Sequence, residues 1–213
     1  MKLTPYVLIK EGAEARSYKG SFFGIPAVFK VRVPKSYRHP ELEKRIVRVR
    51  LRNEARALCL ARRAGVRVPG VLFASPAYGL LVMEEVSGER MSLVLSSLPK
   101  ERQEAVLLDT GRQLGLLHRA GMTHGDLTTS NIIIPADSNS VIFIDMSMSS
   151  RDASIEDMGV DWRLLKEAFV STHYDIIESL TLIQKGYLSS YPEGVDVIER
   201  AMEIEARGRY QVG

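Results

Sequence analysis

The sequence predicts an α+β chain of two lobes, the first rich in strands with one long helix, the second short and mainly helical. Three observations predict it. β-prone runs broken by Gly12, Gly20 and Gly24 fill residues 4–33. Apolar residues then recur at helical spacing from Glu41 to Ala64. Beyond the connector Val86-Ser87-Gly88 the helical period dominates, interrupted by one polar loop and two short apolar runs. The predicted lobes are 1–86 and 87–213.

Taken in order, Val7-Leu8-Ile9 and Ala27-Val28-Phe29-Lys30-Val31 read as strands, with Pro34 and Pro40 marking the exit. Leu42, Ile46, Val49, Ala57, Leu58 and Ala61 set the helix period, which Gly65 and Pro69 stop. Val71–Phe73 and Leu80–Val86 read as two further strands around a turn. In the second lobe Glu101–Arg119 is a helix closed by Gly121. Short strands are expected at 131–134 and 141–145, and helices at Glu156–Phe169, Asp175–Leu188 and Gly194–Ala206.

Of the 213 residues 45 % are hydrophobic, which excludes a disordered chain. No stretch approaches the ~18 apolar residues of a membrane span, and no signal peptide is evident at the N-terminus. The one cysteine, Cys59, forms no internal disulfide and reads as a packed helix residue. A reducing, intracellular setting is expected, cytoplasmic and, in a eukaryote, also nuclear. The net charge of +3 conceals a basic block. Residues 30–67 hold 13 Lys/Arg against 3 Glu, leaving 16 basic and 23 acidic residues elsewhere. A solvated helix face explains such a block, and so does a polyanion such as RNA or an acidic partner surface. Tyr37 is its only aromatic, which argues against base stacking.

The most informative run is Thr123-His124-Gly125-Asp126-Leu127-Thr128-Thr129-Ser130-Asn131, followed by Val141-Ile142-Phe143-Ile144-Asp145. Asp126 and Asn131 have the spacing of a kinase catalytic loop. Asp145 ends an apolar run where a kinase places its metal-binding aspartate. A transferred phosphoryl group carries spread negative charge, so the protein needs metal ligands and a positioned acid or base more than a nucleophile of its own. Asp126 is the candidate catalytic base; Asn131 and Asp145 are candidate ligands of Mg2+ or Mn2+. The fold expected is therefore a minimal two-lobed protein-kinase-like fold.

Other residues extend the constellation. Gly12-Ala13-Glu14-Ala15 is a small-residue turn through which backbone N–H groups can approach phosphate. Lys30 lies in an apolar strand, where an unpaired charge is costly. It resembles the lysine of V-A-I-K. Glu54, a rare acid in a basic helix, is its expected partner, with a surface pair to Arg50 as the alternative. In Leu81-Val82-Met83-Glu84-Glu85-Val86, Met83 would line an adenine slot while the main chain at Glu84 and Val86 meets the base edge. His124 is expected to be structural, His118 and His173 to pack, and Asp161 to brace the loop from an otherwise apolar helix.

These blocks, with Pro34–Pro40, Asn53–Leu58, Glu156–Asp161, Ala168–His173 and the tail Arg207-Gly208-Arg209, resemble the small kinase-like ATPase subunit of the KEOPS (EKC) complex, related to the RIO kinases. The resemblance runs nearly end to end. It implies an ATP-binding Ser/Thr kinase or ATPase that uses Mg2+ or Mn2+ and supports threonylcarbamoyl-adenosine modification of tRNA. It also implies two partners. A threonylcarbamoyl-transferase subunit would meet the C-lobe and tail through Arg207 and Arg209. A small regulatory subunit would sit on the N-lobe.

Within that resemblance the residues favour ATP hydrolysis over peptide phosphorylation. Only 15 residues separate Asp145 from Asp161, too few for a long peptide-docking segment, and no A-P-E appears. Thr128 stands where protein kinases usually place a lysine. One departure is Asp145-Met146-Ser147 in place of D-F-G, in which Ser147 lacks glycine's freedom. A catalytically weak scaffold subunit of the same complex and a small-molecule kinase are the competing functions.

Overall fold

In the computed structural model the described residues are 7–12, 14–33, 35, 37 and 39–210, the last three by backbone alone. They divide into two compact units: residues up to Cys59 with Pro69–Val86, and Leu60–Val68 with the residues from Ser87 onward.

The first unit is a five-stranded antiparallel sheet with one long helix. Strands β1 (Val7–Glu11), β2 (Ala15–Phe22) and β3 (Ile25–Arg32) precede helix α1 (Pro40–Arg63), and β4 (Val71–Ser75) and β5 (Leu80–Glu84) follow it. The sheet order is β1-β2-β3-β5-β4, so β3 is central. Lys30 stands opposite Ser17 on one side and Leu81 on the other. Ala27, Phe29 and Val82 form the core of the sheet, with Tyr18, Phe22, Leu72 and Leu80 against it. Pro40 opens α1, where its fixed φ and missing N–H suit a first turn.

The second unit is mainly helical. After β6 (Glu89–Arg90) and the single-turn α2 (Met91–Val94) come α3 (Lys100–Arg119), β7 (Ile132–Ile134), β8 (Ile142–Phe143), α4 (Ile155–Thr172), α5 (Leu180–Ser190) and α6 (Val195–Tyr210). β6, β7 and β8 form a small antiparallel sheet. Helices α3 and α5 touch backbone to backbone. A Cβ on Gly111 would lie 1.8 Å from Ile183 O, and one on Gly186 2.0 Å from Leu108 O. Leu114, Leu117, Phe143, Phe169 and Tyr187 are fully buried in this unit.

Several expectations shift. The strand expected at Leu80–Val86 ends at Glu84. The helix expected at Asp175–Leu188 is a 3-10 turn over Tyr174–Ser179 and then α5, broken where Ile176 leaves helical angles. β6 and α2 had no sequence signal, because two and four residues are too short to show a period. Cys59 is exposed rather than packed: Leu58 and Ala61 take the buried face of α1 instead.

Candidate functional site

In the first unit, the apolar spacing of β3 leaves Lys30 and Arg32 on one side of a strand, two residues apart. Both are nearly buried and both reach Glu54 on α1, which is 1 % exposed. Lys30 Nζ donates to Oε1 at 2.5 Å and Arg32 Nη2 to Oε2 at 2.6 Å. The expected Lys30–Glu54 pair is thus present, but it is shared with a second cation. Arg32 also donates to Glu14 at 3.4 Å, and Glu14 accepts from Arg50 as well. Arg50 therefore pairs with Glu14, not with Glu54. Lys30, Arg32 and Arg50 thus meet Glu14 and Glu54 in one charged cluster.

The turn before β2 is closed by Gly12 N–H donating to Ala15 O at 2.9 Å. Ala13 lies outside the described residues. Met83, half-buried in β5, stands opposite Val28 and Val71. Glu84 N–H donates to Gly70 O at 2.8 Å, so a base edge would have to be met by the Glu84 carbonyl and by the half-buried Val86.

In the second unit, Ser154 and Asp157 form a capping box that starts α4. One turn on, α4 presents Asp161, 1 % exposed, to the loop. Its carboxylate accepts His124 N–H at 2.7 Å and Gly125 N–H at 2.9 Å. It also faces His118 Nε2 at 3.3 Å, and His118 Nδ1 is 2.8 Å from the Tyr187 hydroxyl. Burial alone would raise the Asp161 pKa, but the hydrogen bond and charge of His118, with His124, hold it below the usual carboxylate value.

His124 is structural. Its Nε2 donates to Ile144 O at 3.0 Å, while Nδ1 faces Asp126 N–H at 3.4 Å. Those contacts assign the proton to Nε2 in a neutral ring. Burial pushes its pKa below the ordinary histidine value, consistent with that form. Gly125 is held at φ +82°, and a Cβ there would meet Met148 O at 2.2 Å. Only glycine lets the loop approach the segment after Asp145 so closely.

Asn131 Nδ2 donates to Asp126 O at 2.8 Å and to Asp126 Oδ2 at 3.0 Å. With the amide nitrogen so engaged, its oxygen is the atom able to face a cation. Ile144 N–H donates to Asn131 O at 2.9 Å, which brings the next residue, Asp145, beside the loop. Asp145 adopts φ 65°, ψ 60°, a left-handed conformation that a non-glycine residue holds only under constraint. Met146 behind it is 1 % exposed, its flexible side chain packed into the interior. Ser147 lies in the 3-10 turn Met146–Met148 and has no positive φ, so glycine's freedom is not required there.

No group of three His, Cys, Asp or Glu gathers among the described residues. A magnesium ion held by Asn131 and Asp145 together with phosphate oxygens needs none. The segment after Asp145 is stitched to the loop: Ser149 Oγ donates to Thr123 O at 2.6 Å and Ala153 N–H to Gly121 O at 2.9 Å. Sequence reasoning missed Arg32, although its two-residue offset from Lys30 was the available signal. It took His118 for a packing residue, and no local pattern announces Tyr187.

A central-strand lysine paired to a helix glutamate in one unit, with an acid-braced polar loop in the other, defines the protein-kinase-like class. A profile of the RIO domain matches residues 29–171. KEOPS complex subunit Bud32 of Pyrococcus abyssi is 41 % identical, over 96 % of this chain and 96 % of its own length. A probable bifunctional tRNA threonylcarbamoyladenosine biosynthesis protein of Methanothermobacter thermautotrophicus is 38 % identical, over 99 % of this chain but 38 % of its own length. The Rio2 kinase of Chaetomium thermophilum, solved as an ADP/Mg2+-phosphoaspartate complex, superposes with a TM-score of 0.66 over 98 % of this chain and 72 % of that one, at 15 % identity. The chain belongs to the RIO-domain family, in the branch of the KEOPS subunits. No helix among the described residues is long and apolar enough to cross a membrane.

Proposed function

We propose that the chain binds ATP with Mg2+ and hydrolyses it as a subunit of a KEOPS assembly that modifies tRNA. The observation that carries this is the loop geometry: Asp126 and Asn131 hydrogen-bonded to each other, on a backbone held by Asp161. Lys30, kept in place by Glu54, would take phosphate oxygens. Asn131 and Asp145 would hold the metal, which when bound neutralises charge on the phosphates. Asp126 would orient the attacking water and accept its proton.

Hydrolysis is favoured over peptide phosphorylation by the short, stitched segment after Asp145 and by Thr128. The Rio2 complex supports ATP and Mg2+ as ligands through fold alone. The KEOPS relatives support the assembly, and the bifunctional relative supports a partner that acts on tRNA. That partner, a threonylcarbamoyl-transferase, would meet the second unit and the tail through Arg207 and Arg209. A small regulatory subunit would sit on the first unit. Exposed Arg45, Arg52 and Arg56 share one face of α1 and would contact tRNA phosphates. Radiolabelled ATP turnover tests the enzyme. Asp126→Ala is expected to lower kcat by at least ~100-fold; equal turnover in both proteins would leave a scaffold subunit instead.

A further inference from the structure

The first unit carries a cavity of about 580 Å3 between the N-terminal half of α1 and the β4–β5 turn, with no part in the reading above. Its volume is that of a small-molecule site. Its walls are of two kinds. Val47, Pro76 and Tyr78 supply apolar and aromatic surface, while Lys35, Lys44 and Arg48 supply positive charge. Among the described residues the only acid lining it is Glu43, and that carboxylate accepts Lys35 N–H at 3.1 Å. The Lys44 ammonium has a 3.6 Å contact with Glu41 in which both side chains are exposed, an ion pair of little strength.

The remaining cationic wall is Arg32. This is the residue whose guanidinium shares Glu54 with Lys30, at 2.6 Å and 2.5 Å respectively. Its own N–H donates to Gly79 O at 2.9 Å, which ties the turn to β3. Arg32 therefore belongs to the wall of the cavity and, through its guanidinium, shares Glu54 with Lys30.

We propose that this cavity is a regulatory site for an organic phosphate, and that its occupation is transmitted to Lys30 through Arg32 and Glu54. A phosphate dianion matches Lys35, Lys44 and Arg48 better than a monocarboxylate does, since Arg32 is already balanced by Glu54 and Glu14. The organic part would lie on Val47, Pro76 and the exposed ring of Tyr78. A dianion beside Arg32 draws its guanidinium off Glu54. Glu54 is then left to Lys30 alone, which fixes the lysine more firmly for the nucleotide. The transmission rests on the nucleotide reading above; the binding does not.

The test titrates 1-naphthyl phosphate into the full chain saturated with ADP and Mg2+, followed by calorimetry. Saturable one-to-one binding is expected. It should weaken at least tenfold in Lys44→Gln and in Tyr78→Ala, with thermal unfolding unchanged in both. 1-Naphthol and inorganic phosphate should each bind more weakly than the intact probe. No saturable binding, or equal affinity in the variants, overturns the site. A second titration, of ATP with the probe present, should show about a fivefold tighter Kd; an unchanged Kd overturns the regulatory half. Should the chain bind no nucleotide at all, the preceding function fails, while the probe titration still decides the cavity.

Discussion

Each unit of the molecule buries one carboxylate at 1 % exposure, and the two are satisfied in opposite ways. Glu54 faces two side-chain cations, Lys30 and Arg32. Asp161 faces backbone, through the N–H groups of His124 and Gly125, and one histidine. A carboxylate held by flexible cations leaves those cations able to turn toward an incoming anion. A carboxylate that accepts backbone N–H groups fixes the path of the chain itself. The first arrangement suits a group that must hold phosphate; the second suits a loop that must not move.

The sharpest break of this contrast is Asp161→Ala. It leaves two buried N–H groups without an acceptor, at a cost of about 3 kcal/mol in all. Urea unfolding should show that loss, and ATP turnover should fall with it because the loop carrying Asp126 is released. Glu54→Gln should separate the two properties. It removes the countercharge of Lys30 and Arg32, costing about 3 kcal/mol, yet its main effect should be a ~10-fold or greater fall in kcat/KM for ATP. A Glu54→Gln protein with wild-type kcat/KM would erase the distinction between the two carboxylates.

Acid sharpens the contrast further. His124 and His173 both have pKa values lowered by burial from the ordinary 6.5, so the folded chain keeps them neutral where the unfolded chain takes up protons. The stability this confers is present above pH 6.5 and is lost as pH falls below it. Asp161, held under its ordinary 3.8, adds a second loss at lower pH. Thermal unfolding across pH 7.5 to 4 should therefore decline from about 6.5 downward, and a flat profile would contradict the neutral assignment of His124. The smallest effect belongs to Ser147→Gly. Because Ser147 occupies an ordinary 3-10 conformation, restoring glycine should change ATP turnover less than twofold and cost about 0.5–1 kcal/mol through the unfolded chain.

The legible parts of the sequence were residues that contradict their surroundings. Lys30 is a charge in an apolar strand, Glu54 an acid in a basic helix, and Asp161 a carboxylate on an apolar helix. Each mismatch demanded a partner, and the loop spacing of Asp126 and Asn131 supplied the chemical setting. Arg32 stayed hidden because one cation already explained Glu54. The contact of His118 with Tyr187 joins residues 69 apart in sequence, and nothing local marks such a pair. The left-handed Asp145 was equally invisible, since a left-handed aspartate carries no sequence signature that separates it from a strand end. Short β6 and α2 escaped for the same want of periodicity. The fold class was legible through the alternation of strand and helix periods, whereas the breaks at Glu84 and Ile176 depend on tertiary pairing.

The central claim is that this chain takes up ATP through a metal ion at Asn131 and Asp145. Calorimetric titration of ATP in the presence and absence of Mg2+, on the wild type and on Asp145→Asn, tests it most directly. Saturable, Mg2+-dependent heat is expected in the wild type, with at least ~10-fold weaker binding in Asp145→Asn because a metal-coordinating carboxylate is lost. No heat in the wild type, or equal heat in both proteins, would contradict it.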